Sequence, residues 1–195
     1  MPPNEYEGAI HIIQGDIIMK ITTKQITITA ALLAVCIASQ FFKNMSVYIT
    51  GPIINACIVL AALSSGMICG IIISIITPVT SFFITGSPII AAIPLIMPCI
   101  MIGNAILAVL VSLFVKKGAS NKNLVIGMVL GSVLKALFMG IVIALAIIPN
   151  MIPEKMAPKM AVFQTTFSVT QLITAVIGCV LAYIIWIPLK KIVEE

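Results

Sequence analysis

Residues 122–149 read KNLVIGMVLGSVLKALFMGIVIALAIIP. At about 1.5 Å per helical residue, this almost unbroken apolar run is long enough to cross the roughly 30 Å hydrocarbon layer of a bilayer. Lys135 sits near its centre, about thirteen residues from either end, or about 20 Å along a helix. An ammonium at that depth costs at least about 3 kcal/mol unless it faces a bundle interior, water or a partner. Two readings follow. Lys135 is either a functional cation facing a cavity, or a structural lysine that snorkels or bonds backbone carbonyls between helices.

Composition extends the membrane reading to the whole chain. Of 195 residues, 61% are hydrophobic and 9% charged, whereas a soluble domain carries about 25% charge. There is room for six spans of about 20 residues, which predicts an all-α integral membrane protein with little chain left over for a soluble domain. All eleven basic residues are lysine. They are scattered over loops without interleaved aromatics, so the net charge of +5 reflects topology and not a nucleic-acid partner. Cys36, Cys57, Cys69, Cys99 and Cys179 lie in apolar runs without a CxxC pair. They read as small packing residues, not as a disulfide framework or a metal site. His11 stands alone in the amino-terminal tail and has no neighbouring metal ligand.

In chain order, residues 1–18 form a short mixed tail, disordered or a mis-called start, ahead of Met19-Lys20. Residues 19–191 form a single six-helix membrane domain, and 192–195 a carboxy-terminal tail. Span one, from about Thr23 to Phe42, places Ala30, Ala34 and Ala38 on one face, a smooth stripe where another helix can approach. Span two begins near Tyr48; Gly51-Pro52 opens it and Asn55 follows one turn on. Ala62, Gly66 and Gly70 make a second small-residue face, and Pro78 is expected to kink or end span three. Span four, about Ile89 to Val115, is interrupted by Pro94 and Pro98, so its first half is expected to be irregular. Span five is the quoted run. A polar loop from Pro149 to Lys159 precedes span six, about Ala161 to Ile187, with Trp186 as an interface anchor.

Lysine placement orients the bundle. Lys20, Lys24, Lys116, Lys117, Lys122, Lys190 and Lys191 fall on the side of both termini, against Lys43, Lys155 and Lys159 on the other. By the positive-inside rule both termini are expected to be cytoplasmic.

Depth arithmetic brings polar groups together. At about 1.5 Å per residue, Asn104 lies about twelve residues above Lys116, Lys135 about thirteen above Lys122, and Gln171 about seventeen above Pro188. Three spans therefore bring polar groups to similar depth. Gln164 sits higher on span six, with Lys43, Asn44 and Tyr48 above on the outer side. The expected arrangement is a polar shaft opening outward, with one cation to pair with an acceptor on a solute. Each amide alone reads equally as an interhelical hydrogen bond. No phosphate-binding loop, HExxH or GxSxG motif occurs and no acidic residue lies within a span, so catalytic residues, metals and cofactors are not expected. If the chain drives uphill transport, another protein supplies the energy.

Four stretches in order carry a family resemblance: the alanine stripe on span one, Ile49 to Ala56 at the start of span two, Pro98 to Ala105 in span four and Gly131 to Phe138 in span five. On these, residues 20–191 resemble the substrate-binding (S) components of energy-coupling factor (ECF) transporters, the bacterial and archaeal micronutrient importers. The resemblance implies a plasma-membrane protein that binds a vitamin-like solute from outside, in a pocket built mainly from spans four to six and capped by outer loops. It implies docking on a transmembrane coupling (T) component joined to two cytoplasmic ATP-binding subunits. By the same similarity Ala30, Ala34 and Ala38 would dock, Asn104 and Lys135 would contact solute, and Gln171, Gln164 and Asn55 are further candidates. Departures narrow the solute. Ser132 stands where riboflavin-binding members often have asparagine, and Lys43 to Ser46 replaces their acidic loop. With Trp186 the only tryptophan, a stack of aromatic rings is not expected, and a small anionic micronutrient fits Lys135 better. The alternatives are a stand-alone channel or facilitator, and a structural scaffold assembled through the small-residue faces.

Overall fold

A computed structural model describes residues 21–42, 46–115 and 120–194, with side-chain surroundings to residue 190. The expectations for the tail at 1–18, for Lys43 and Asn44, and for Lys116 and Lys117 lie outside the described residues. What is described is helical: α1 (Thr23–Gln40), α2 (Val47–Ser64), α3 (Met67–Thr85), the short α4 (Pro88–Ala92), α5 (Ile96–Phe114) and α6 (Asn121–Met139). Helix α6 runs directly into a π-helical stretch (Gly140–Ile147) and a closing turn (Ile148–Met151). A 3₁₀ segment (Glu154–Lys159), α7 (Met160–Phe167) and α8 (Val169–Glu194) complete the bundle.

Five helical stretches are long and apolar enough to cross a membrane: α2, α3, α5, residues 121–151 and residues 154–190. The chain is therefore an all-α multi-pass membrane protein. Helix α1 is more polar, with Lys24, Gln25, Thr27 and Thr29 in its first half and Ser39-Gln40 at its end.

Local chemistry fixes the helix ends. At α1 a capping box forms: the Gln25 amide N–H donates to Thr22 Oγ1 at 3.3 Å, and Thr22 N–H donates to Gln25 Oε1 at 2.8 Å. Gln25 Nε2 also donates to the Ser65 carbonyl at 2.9 Å, tying α1 to the end of α2. Ser46 caps α2, so Pro52 lies in the second turn and not in the first, where the sequence reading put it. Gly66 is the turn before α3 at φ +94°, a backbone region that glycine alone enters cheaply. It is a joint and not the middle of a packing face. Gly70 does pack: a Cβ there would meet Ala108 at 3.0 Å and Ala62 at 3.1 Å. Pro78 does not end α3, which continues to Thr85. Beside it, Gln40 Nε2 donates to the Thr77 carbonyl at 3.1 Å. The proline-rich entry to span four is irregular as expected, with α4 breaking at Ile93 before α5 begins.

Two apolar clusters hold the bundle. One gathers α2 with Cys36, Leu107, Val111, Met128, Ala182 and Trp186. Trp186 is thus packed inside and is not displayed at an interface. The other joins α4, Met139, Ile143, Ile148 and Phe167 at the opposite half. All five thiols are buried and free, which is the packing role expected of small apolar residues. Glycines set the closest crossings. A Cβ on Gly131 would meet Leu107 at 2.8 Å, locking α6 to α5, and one on Gly178 would meet the Asn55 Cβ at 2.5 Å, locking α8 to α2. These two crossings set the level at which the polar residues meet.

Candidate solute-binding site

Lys135 projects from α6 into the bundle and is 2% exposed. Its ammonium donates to Asn55 Oδ1 at 2.5 Å, across eighty positions of sequence. Asn55 is equally buried and is held in place by the α2–α8 crossing at Gly178. A charge-assisted bond of this kind is about twice as strong as a neutral one. It still leaves a buried cation whose protein partner is a neutral amide. Two of the three ammonium N–H groups have no acceptor among the described residues.

Lys135 lines a cavity of about 270 Å³ that reaches both apolar clusters, at Ile54 and at Phe167. Asn55, Asn104, Lys135 and Gln171 all line it, contributed by α2, α5, α6 and α8. Asn104 is 5% exposed, and its amide makes no hydrogen bond to a described residue, so both its donor and acceptor are available to an occupant. Gln171 Nε2 donates to the Thr166 carbonyl at 3.2 Å, which clips α8 to the end of α7. Thr50, Thr77, Ser81 and Ser87 add hydroxyls, while Ile89, Ile100, Phe163 and Phe167 supply apolar wall. No carboxylate is among the described lining residues. The space is that of about nine waters at about 30 Å³ each, enough for a solute of on the order of ten heavy atoms. The lining offers one cation, several neutral polar groups and an apolar flank, the mixture usual in small-molecule pockets.

The cavity has a direction. A wider cleft of about 590 Å³, lined by Ser46, Tyr48, Thr165 and Thr170, meets it at Val47, Val162 and Thr166, which belong to both. At the other end, one turn below Lys135, Ser132 Oγ lies 3.3 Å from Cys179 Sγ. Ser132 therefore closes the floor and does not line the site.

Gln164 is placed elsewhere. Its amide donates to the Ala144 carbonyl at 3.0 Å, and it faces a groove on the bundle exterior. Ala30, Ala34 and Ala38 are all exposed on the outer face of α1, whose buried side carries Thr29, Cys36, Ser39 and Gln40. The sequence reading missed the hydroxyls and the two phenylalanines. Mid-span serines and threonines are a weak signal because they satisfy themselves, as Thr77 does by donating to the Ile73 carbonyl at 2.8 Å. Phe163 and Phe167 stand one turn apart, a spacing that any packed helix shows.

No family model matches this chain, and no curated protein or solved structure is similar to it at a significant level.

Proposed function

We propose that this chain is the membrane-embedded solute-binding subunit of an energy-coupling factor type importer, taking up a vitamin or a related small micronutrient. In this reading it crosses a bacterial or archaeal plasma membrane six times with both termini cytoplasmic, α1 being the first crossing. A separate T component and two ATP-binding subunits supply the energy. The solute enters through the cleft at Tyr48 and Thr165 and descends past Val47, Val162 and Thr166. It is held by Lys135 and Asn104, with Asn55 steadying the ammonium and Gln171 bracing α7 against α8.

The observation that carries this reading is the convergence of Asn55, Asn104, Lys135 and Gln171 on one cavity with spare donors. A structural lysine would have its donors spent on the protein, because unsatisfied polar groups are expensive in a bilayer interior. The outward alanine stripe on α1 supports the docking half of the proposal, since small residues let another helix approach closely.

Affinity purification of the tagged chain from its native membranes tests the assembly. The expected result is co-purification of a second membrane protein and ATP-binding subunits, reduced by Ala34→Trp. Uptake of solute into liposomes by this chain alone, down a gradient and without ATP, would instead show a facilitator.

A further inference from the structure

Outside the cavity, an apolar groove of about 510 Å³ lies on the exterior of the bundle, between the α6–π wall and the α7–α8 wall. Ala136, Gly140 and Ala144 form its deep side, and Leu137, Leu145 and Leu172 its exposed rims. Three polar side chains lie along it, and each donates one hydrogen bond to a backbone carbonyl. Thr165 donates to the Ala161 carbonyl at 2.9 Å, Ser168 to that of Gln164 at 2.7 Å, and Gln164 to that of Ala144 at 3.0 Å. What the groove presents is therefore fit for hydrocarbon.

From Val133 to Leu145 the wall is at most about 18 Å long, close to the roughly 15 Å of one leaflet and so to the reach of one acyl chain. Charge marks the head end. Lys159 is exposed and immediately precedes α7, two residues before groove-lining Ala161, with Lys155 in the same 3₁₀ segment and Glu154 at that segment's far end.

We propose that this groove binds one anionic phospholipid, with an acyl chain along the α6–π wall and its phosphate at Lys159. The groove shares no lining residue with the inner cavity, although Ala161 and Thr165 also border the cleft that leads to it.

The test is native mass spectrometry of the full chain released from vesicles of equimolar dioleoylphosphatidylglycerol and dioleoylphosphatidylcholine. The wild-type protein should retain one phosphatidylglycerol, preferred about five-fold or more over phosphatidylcholine, the selectivity of one basic side chain near an anionic surface. Lys159→Glu should bring that preference to near one without emptying the groove. Ala161→Trp, introduced at an exposed position at the head end, should abolish retention of either lipid with an unchanged melting temperature. Should that variant fold poorly, Gly140→Leu blocks the groove at mid-length, where an added Cβ meets Ser168 alone, at 3.5 Å from its Cβ and 3.8 Å from its Cα, both ordinary contacts. No retained lipid, equal retention of both lipids by the wild type, or undiminished retention in a folded groove-filling variant overturns the proposal. So does a photocrosslinker at position 145 that captures protein in place of phospholipid in native membranes.

Discussion

The Lys135–Asn55 pair yields a prediction that separates a binding cation from a structural one. Asn55→Leu removes the protein partner of the buried ammonium. A hydrogen bond to a charged group is worth about 1.5–3 kcal/mol, so this variant should lose about that much stability when no solute is bound. Lys135→Met keeps the unbranched stem and deletes the charge. It loses the same bond but is relieved of the cost of burying an ammonium, which is up to about 3 kcal/mol at this depth. The Asn55 amide it leaves behind faces the cavity and is not stranded in packed side chains. Lys135→Met should therefore be neutral or stabilising by up to about 2 kcal/mol. The double variant should match Lys135→Met to within about 1 kcal/mol, giving a coupling energy of about 1.5–3 kcal/mol. Unfolding of apo protein in mixed detergent micelles, for the four members of the cycle, reads these values. If Lys135→Met is destabilised as much as Asn55→Leu, the lysine is part of the scaffold and the reasoning fails.

Other outcomes follow from the packing. Gly178→Ala would place its Cβ 2.5 Å from the Asn55 Cβ and 2.7 Å from the Pro52 carbonyl, so it should cost about 1–3 kcal/mol in thermal unfolding and weaken solute retention by displacing Asn55. Gly140→Ala meets nothing closer than 3.5 Å and should change stability by less than about 1 kcal/mol in the same assay. Gly66→Ala, at φ +94°, should destabilise by about 1–2 kcal/mol while leaving the retained solute unchanged, since it strains a turn remote from the cavity. Asn104→Leu should leave unfolding within about 1 kcal/mol of wild type, because its amide has no bond to a described residue to lose, yet it should reduce solute retention at least ten-fold.

Depth was legible in the sequence and azimuth was not. A fixed rise per residue placed Asn104, Lys135 and Gln171 at one level, and the bundle gathers all three. Gln164 and Gln171 are seven residues apart, so in an unbroken helix they would lie within about 20° of one face. The chain breaks at Ser168, with φ −118° and ψ −91°, and the two glutamines part company: Gln171 lines the cavity and Gln164 the outer groove. No proline or glycine marks that break. The π stretch after Met139 is equally silent, because Gly140–Ile147 is uniformly apolar. Asn55 was a candidate, but its partnership with Lys135 needed the α2–α8 crossing that Gly178 permits, which is a property of the assembled bundle and not of either helix. Prolines acted unequally: Pro94 accompanies the break before α5, whereas Pro78 does not end the helix that contains it.

The central claim is that the space beside Lys135 holds a solute. Denaturing extraction of the detergent-purified protein, followed by mass spectrometry of the released small molecules, tests it most directly when wild type and Lys135→Met are compared at equal folded concentration. The account predicts one small compound in near-stoichiometric amount from the wild type and at least ten-fold less from the variant. An identical profile from both proteins, whether empty or carrying the same compound, would contradict it.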